Sequence, residues 1–312
     1  MSDYEPDGKS ILVTGGAGFI GSHIVDALVD QNDVRVLDSL STGTHSNLHP
    51  DARLVEGDIR DGETVDAAME GVDIVFHKAA MVSVPASVEQ PKTCHDVNGT
   101  ATLKLLEAAR ANDSRVVFAS SAAIYGHPDG VPISEDAPKR PASPYGLEKL
   151  TADYYTRIYT ERYGLETVSL RYFNVYGPRQ TGGQYSGVIS TFLDQARAGE
   201  PITVEGDGEQ TRDFVHVDDV VQANLRAATT ESTGTSYNIG TGSNITIREL
   251  AETVQAVTAT NSEIVHTDPR PGDIELSEAD ISKAQDELGY TPTVTIEDGL
   301  SQLVSSQRSS DS

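Results

Sequence analysis

The chain has 312 residues, 37% of them hydrophobic, and 48 acidic against 23 basic side chains give a formal net charge of -25. That length permits one large α/β domain or two smaller ones, while the charge argues against nucleic acid or an anionic membrane as partner. No apolar run approaches the ~20 residues needed to cross a bilayer. Residues 1–10 are polar with no leader pattern, so a cytoplasmic protein is expected. The single cysteine, Cys94, excludes an internal disulfide and a multi-cysteine metal site. A surface this acidic also predicts adaptation to high salt, where screening shortens the reach of self-repulsion.

Residues 11–13 form a short apolar run with β-branched ends, the pattern of a strand buried on both faces. Gly15, Gly16, Gly18 and Gly21 follow at once, and then Ile24, Val25 and Leu28 share a helical face. The stretch reads strand, glycine turn, helix. Such a turn sets helix-start N–H groups and the positive end of the helix dipole against an anion. Glycine there lets the backbone approach a pyrophosphate. Gly16, Gly18 and Gly21 satisfy G-x-G-x-x-G, and Gly15, Gly18 and Gly21 satisfy the three-residue spacing; alone, either match is weak. The second apolar run, residues 34–37, ends at Asp38 and supplies the missing context. A carboxylate there accepts both hydroxyls of an adenosine ribose and repels a 2′-phosphate, which favours NAD over NADP.

A third strand is expected over residues 53–59, with Asp58 near its end, and a helix over 64–69. A fourth strand, 72–77, leads into Ala79-Ala80. Helical spacing covers 98–110, and residues 116–120 form a fifth strand. This alternation predicts a doubly wound parallel sheet with helices on both faces, the Rossmann-type α/β class. Residues 128–144 read as a long loop. A helix follows over 145–163, whose tyrosines at 154, 155, 159 and 163 suit a core or a subunit interface, and then a sixth strand over 167–170. Past Pro178 the pattern loosens: a flexible loop at 180–185, helices at 188–199, 217–228 and 247–259, and strands at 202–204 and 236–240. These mixed elements predict a smaller, interleaved α/β substrate domain. The expected division is 1–178 with 216–243 for the dinucleotide and 179–215 with 244–312 for the substrate. Residues 1–8 and 305–312 read as disordered.

Ligands of an open parallel sheet sit beyond the carboxyl ends of its strands, and polar residues converge there. Ser120 and Ser121 close the fifth strand. Tyr145 and Lys149, four apart at a helix start, share one face. An ammonium beside a phenol lowers its pKa, and a bound nicotinamide cation pushes the same way. The tyrosine then takes a proton from a sugar or alcohol hydroxyl near neutral pH, with Ser121 holding that hydroxyl. Tyr-x-x-x-Lys alone is common on solvated helices; beside the glycine turn and the serine it reads as catalytic. His77 reads as structural. His216-Val217-Asp218-Asp219 has a metal-like composition, but Asp218 or Asp219 capping the next helix is the simpler reading, and no metal is expected.

Four segments carry a family resemblance: Thr14-Gly15-Gly16-Ala17-Gly18-Phe19-Ile20-Gly21, Ser120-Ser121-Ala122-Ala123-Ile124-Tyr125-Gly126, Ser143-Pro144-Tyr145-Gly146-Leu147-Glu148-Lys149, and Leu170-Arg171-Tyr172-Phe173-Asn174-Val175-Tyr176-Gly177-Pro178-Arg179. Over nearly the whole chain they resemble the extended short-chain dehydrogenase/reductases, and within them the nucleotide-sugar epimerases of the UDP-glucose/UDP-galactose kind. The resemblance implies a catalytic set of Ser121, Tyr145 and Lys149. It implies a cofactor site of Gly15, Gly18, Phe19, Ile20, Gly21, Asp38, Asp58, Ile59, Ala79, Ala80, Asn98, Tyr145 and Lys149. Substrate-side positions would be Ser83, Ser121, Asn174, Val188, Arg212, Arg270, Asp273 and Ser277. Arg212 and Arg270 would clamp the phosphates, as planar, permanently charged forks can. Asp273 would accept from the uridine ribose, and the small Ser277 would leave room for an N-acetyl group. The implied activity is NAD-dependent 4-epimerisation of a UDP-sugar through a transient 4-keto sugar, in a homodimer pairing helices 98–110 and 145–163. Three residues depart from the pattern: Lys78, Glu148 within Tyr-x-x-x-Lys, and Ala101. A dehydratase or decarboxylase of the same fold is the nearest rival. Its extra acid and base would stand where Ala122 and Ala123 are, and neither alanine transfers a proton. A non-catalytic dinucleotide-binding regulator would be expected to lack Ser121, Tyr145 or Lys149.

Overall fold

The computed structural model describes residues 5–180, 187–270 and 272–308. In chain order it begins β1 (Ser10–Thr14), α1 (Phe19–Leu28), β2 (Asp33–Asp38), β3 (Arg53–Glu56), α2 (Gly62–Met69) and β4 (Ile74–His77). Next come α3 (Val84–Glu89), α4 (Pro91–Cys94), a π-helical turn (His95–Thr100), α5 (Ala101–Asn112), β5 (Arg115–Ser121) and α6 (Pro144–Tyr163). β6 (Thr167–Tyr172), β7 (Asn174–Tyr176), α7 (Val188–Ala198), β8 (Ile202–Glu205), β9 (Thr211–Arg212), β10 (Phe214–His216) and α8 (Val217–Thr229) follow. The chain closes with β11 (Thr235–Ile239), β12 (Ile245–Thr246), α9 (Ile247–Thr258), β13 (Ile264–Thr267), α10 (Ser282–Leu288) and α11 (Ile296–Arg308).

Seven strands form one parallel sheet in the order β3-β2-β1-β4-β5-β6-β11. Residues 11–14 of β1 are fully buried, and alternate side chains feed opposite layers. Ile11 and Val13 join one core with Val25, Phe76, Tyr172 and Val220. Leu12 joins the other, with Val75, Leu105 and Tyr159. Burial on both faces explains why these strands read as continuous apolar runs. Strand order reverses between β1 and β4, so the crevice outside their carboxyl ends is the expected ligand site of such a sheet. A third core joins Phe192, Ile202, Leu250, Val254 and Leu300 from α7, β8, α9 and α11. Among the described residues no helix is long and apolar enough to cross a membrane.

Some boundaries differ from expectation. The predicted helix 98–110 is the later part of a run from Pro91 to Asn112 that contains the π-helical turn. The sixth strand runs on to Tyr172, because β5 and β11 pair with it on both sides. Residues 5–8 are anchored rather than free: Pro6 is buried, its carbonyl accepts from Asn32 Nδ2 at 3.0 Å, and Gly8 N donates to Gln31 O at 2.9 Å. At the other end residues 305–308 continue α11, which buries Leu300, Leu303 and Val304. Residues 1–4 and 309–312 of the expected tails, and 181–185 of the expected flexible loop, lie outside the described residues.

Candidate active site

At Gly15 and Gly21 the β1–α1 turn is closed by backbone contacts that leave no room for a side chain. A Cβ on Gly21 would lie 2.2 Å from Gly15 O, and one on Gly15, whose φ is +69°, would lie 2.7 Å from Ala79 N. Gly18 caps α1 without a side-chain bond, so the first-turn N–H groups of Phe19, Ile20 and Gly21 stay available to an anion. Asp38 ends β2, 8% exposed, and accepts from Ala17 N at 2.9 Å and Leu40 N at 2.8 Å. These bonds lock its carboxylate beside the glycine turn. The shape and donor set fit a dinucleotide, with pyrophosphate on α1 and ribose on Asp38.

The other groove residues differ in how freely they face outward. Ala79 and Ala80 follow β4, and Ala79 N donates to Thr14 Oγ1 at 3.2 Å. Ile59 is buried. Asp58 is engaged by the Arg60 guanidinium at 2.6 and 2.9 Å, which holds its carboxyl below the ordinary range. Asn98 is 3% exposed and grips Met81 twice: Oδ1 accepts from Met81 N at 2.8 Å and Nδ2 donates to Met81 O at 2.9 Å. His77 is buried between Thr14 and Thr102 hydroxyls, and burial drives its pKa down to about 3, as a neutral structural imidazole requires.

Ser143 caps α6 by accepting Gly146 N at 3.1 Å, which sets the first turn that carries Tyr145. Tyr145 N donates to Ser87 Oγ at 3.2 Å, a support from α3 with no sequence signal, since the two lie 58 residues apart. Ser121 Oγ accepts from Ala123 N at 3.2 Å and is near enough to the Tyr145 phenol to lower its pKa. Lys149 Nζ donates to Ala119 O at 2.7 Å and lies 5.0 Å from the Phe118 ring centroid and 5.9 Å from that of Tyr145. The three predicted catalytic side chains therefore do meet.

Burial dominates the electrostatics of this cluster. Burial pushes the Tyr145 phenol up, and the nearby Ser121 hydroxyl pulls it back only in part. Burial draws Lys149 down to about 8. Lys78, the departure beneath the sheet, donates to Tyr172 Oη at 3.1 Å and Val117 O at 3.3 Å, and burial holds its pKa well below the lysine range.

On the facing side, Ser83 caps α3 through Ala86 N at 3.1 Å. Asn174 begins β7 with its side chain exposed, and Val188 begins α7. Arg212 is tied to Asp273 at 2.6 Å and to Ile274 O at 2.6 Å. Arg270 is tied to Glu205 at 3.0 Å. Ser277 is 7% exposed, its N–H turned to Thr211 Oγ1 at 3.3 Å. The cap of α8 is His216, whose Nδ1 accepts from Asp218 N at 3.3 Å; neither aspartate performs the expected capping. Asp219 instead holds Thr293 N at 2.8 Å and Val294 N at 3.2 Å.

A glycine turn on a parallel sheet, a buried carboxylate closing β2 and a Ser–Tyr–Lys cluster at the strand ends define a dinucleotide-binding enzyme of the short-chain dehydrogenase/reductase type. Residues 11–240 match the NAD-dependent epimerase/dehydratase family, and the chain belongs to it. It is 42% identical over 298 residues to a putative UDP-glucose 4-epimerase of Methanocaldococcus jannaschii, covering 94% of this chain and 97% of that one. The fold matches a UDP-N-acetylglucosamine 4-epimerase of Methanobrevibacter ruminantium in complex with UDP-N-acetylmuramic acid, with TM-score 0.94 and 38% identity over 98% of this chain and 100% of the other. It also matches the UDP-glucose 4-epimerase of Thermus thermophilus in complex with NAD, with TM-score 0.89 and 40% identity over 96% and 99% of the two chains.

Proposed function

We propose that the protein interconverts UDP-glucose and UDP-galactose, and their N-acetylated counterparts, by NAD-dependent epimerisation at the sugar 4-position. The observation that carries this reading is the convergence of Ser121, Tyr145 and Lys149 at the ends of β5 and α6, beside the glycine turn. Bound NAD would supply a reversible hydride acceptor, and its cationic ring would add positive charge near the buried phenol. Ser121 orients the 4-hydroxyl. Tyr145 Oη takes the hydroxyl proton as the 4-keto sugar forms, and gives it back after the ring has turned. Lys149 orients the nicotinamide ribose and contributes charge beneath the phenol. Asn174, Arg212 and Arg270 hold the diphosphate and Asp273 the uridine ribose, so the hexose stays free to turn about its tether. Ala122 and Ala123, in the turn after β5, offer no acid or base for eliminating water, which speaks against a dehydratase.

The working division is a dinucleotide part, 1–178 with 216–243, and a substrate part, 179–215 with 244–312, whose residues 279–290 lean back on the main sheet. α5 and α6 would pair two copies: Leu147, Tyr154 and Ile158 form an exposed stripe on α6, 52%, 38% and 40% exposed. Light scattering that gives a monomer mass across salt and protein concentrations would reject that dimer. The acidic surface fits a salt-rich cytoplasm, and equal melting points at low and multimolar KCl would count against it. The decisive test of activity is incubation with a panel of UDP-sugars followed by NMR of the products. Interconverted 4-epimers are expected; net NADH or a 4-keto-6-deoxy product would overturn the reading.

A further inference from the structure

Glu148 stands one residue before Lys149, inside the catalytic span of α6. It is 9% exposed. Its Oε1 lies 3.0 Å from His95 Nδ1, and its Oε2 is buried with no hydrogen-bond partner among the described residues. The facing backbone is Gly99. A Cβ there would lie 2.4 Å from Glu148 Oε2 and 3.2 Å from His95 Nδ1, so a glycine is what lets the carboxylate reach this depth.

His95 and Gly99 both belong to the π-helical turn between α4 and α5. An extra residue in a helical turn re-aims the side chains that follow it, often toward a functional site. Here the re-aimed side chain is Asn98, which holds both polar groups of Met81. Met81 directly follows Ala79 and Ala80 and leads to Ser83. One end of the Glu148–His95 contact is therefore on the helix of Tyr145 and Lys149. The other is on the turn that fixes the segment lining the groove.

Stability does not account for this carboxylate. Its partner His95 is 59% exposed and carries charge only when protonated, so the contact is a weak stabiliser. An unpartnered oxygen makes it weaker still. We propose that Glu148 is a positioning residue: through His95 it fastens the π-helical turn to α6, holding Tyr145 and Lys149 in register with the segment from Ala79 to Ser83 that Asn98 grips. The proposal rests on the assignment of Tyr145 and Lys149 as the catalytic pair. A shift of ~1 Å at such a pair costs up to about a hundredfold in rate.

The test uses the full-length protein and four variants: Glu148→Ala, Glu148→Gln, Gly99→Ala and Gly99→Ala with Glu148→Ala. It reads kcat, KM for UDP-glucose, melting temperature, and NAD released on denaturation. Glu148→Ala should lower kcat about tenfold or more and reduce retained NAD, with KM and melting temperature little changed. Glu148→Gln should recover most of both losses, since its amide oxygen still accepts from His95. Gly99→Ala should be harmful alone and add little to Glu148→Ala, because the severe clash is with the carboxylate and the contact with His95 is milder. Unchanged kcat and NAD content in Glu148→Ala would overturn the proposal, as would a Glu148→Gln variant no better than Glu148→Ala. A fall in melting temperature that accounts for lost activity would reduce Glu148 to a packing residue and overturn it too. If the wild type retains NAD but interconverts no UDP-sugar, the functional reading fails, and NAD retention across the same variants still decides the role of Glu148.

Discussion

Along the β1–α1 turn, shape is set by backbone packed on backbone, with Gly15 and Gly21 too close to their neighbours for any Cβ and Asp38 locked by two N–H groups. Across the cleft the groups assigned to the diphosphate and ribose are side chains already bonded to one another: Arg212 to Asp273, and Arg270 to Glu205. The first arrangement needs no rearrangement to take a ligand, which suits a cofactor that stays through every turnover. On the proposed reading the second exchanges partners, which suits a substrate that enters and leaves. Binding on that side is the difference between two sets of contacts rather than a simple gain.

The largest expected effect separates chemistry from both kinds of binding. Tyr145→Phe removes only the phenol oxygen, so activity should fall by ~2–4 orders of magnitude as for a lost general base. NAD and UDP-sugar binding should be nearly intact, measured by retained NAD and by calorimetry with UDP-glucose. More than about a tenth of the activity surviving would assign proton transfer to another residue.

Next is the lysine on the cofactor side. Lys149 falls from 10.5 to about 8 on burial, so the folded protein binds fewer protons than the unfolded chain between those values. Stability attributable to this group therefore rises with pH over that window, while below about 8 the full cost of burying the charge is present. Lys149→Met lacks this titration. The stability of wild type relative to the variant should climb by up to about 3 kcal/mol between pH 7 and 10.5, the free-energy equivalent of the shift. Parallel denaturant-unfolding curves for the two proteins across that range would contradict the assignment.

How legible each side was in the sequence follows the same contrast. The glycine turn, the strand ending at Asp38 and the Tyr-x-x-x-Lys pair are local patterns, each fixed by one segment's own geometry. Strands buried on both faces declared themselves as apolar runs. The π-helical turn had no such signature, because what marks it is the contact of Asn98 with Met81 and of His95 with Glu148, 17 and 53 residues away. The partners of Arg212 and Arg270 lie 61 and 65 residues off in sequence. Proximity in sequence also misled: His216, not the aspartates beside it, caps α8. Tyr145 and Lys149 lie on one face as their spacing implies, but the burial that raises the phenol and the Ala119 carbonyl that accepts from the lysine are encoded by no spacing.

A smaller effect should come from the wall of the substrate side. Ser277 is buried beside Thr211 on the strand that carries Arg212. On the proposed reading Ser277 borders the sugar's 2-substituent, so with Ser277→Tyr turnover of the N-acetylated pair should fall about tenfold or more relative to the UDP-glucose pair, the discrimination a steric change supports. Rates on both pairs, in wild type and variant, check this. An equal fall on both, or no N-acetylated turnover in wild type, would remove Ser277 as the size determinant.

The smallest effect belongs to the exposed ion pair. Arg270 and Glu205 are 64% and 43% exposed, and pairs of this kind contribute ~0.2–1 kcal/mol. On the proposed reading Arg270 must leave Glu205 to meet a phosphate. Glu205→Gln keeps the shape and removes the competing charge. KM for UDP-glucose should therefore fall about 1.4- to fivefold, the range those energies span, with kcat unchanged because the reacting atoms lie elsewhere. Salt sharpens the test. Concentrated KCl screens exposed charges over a few ångströms, so the advantage of the variant should shrink as salt rises, while a change in cleft shape would persist. An unchanged or higher KM in Glu205→Gln at low salt would show that this pair does not compete with the substrate. An advantage that is constant from low to multimolar KCl would show that the charge is not what matters.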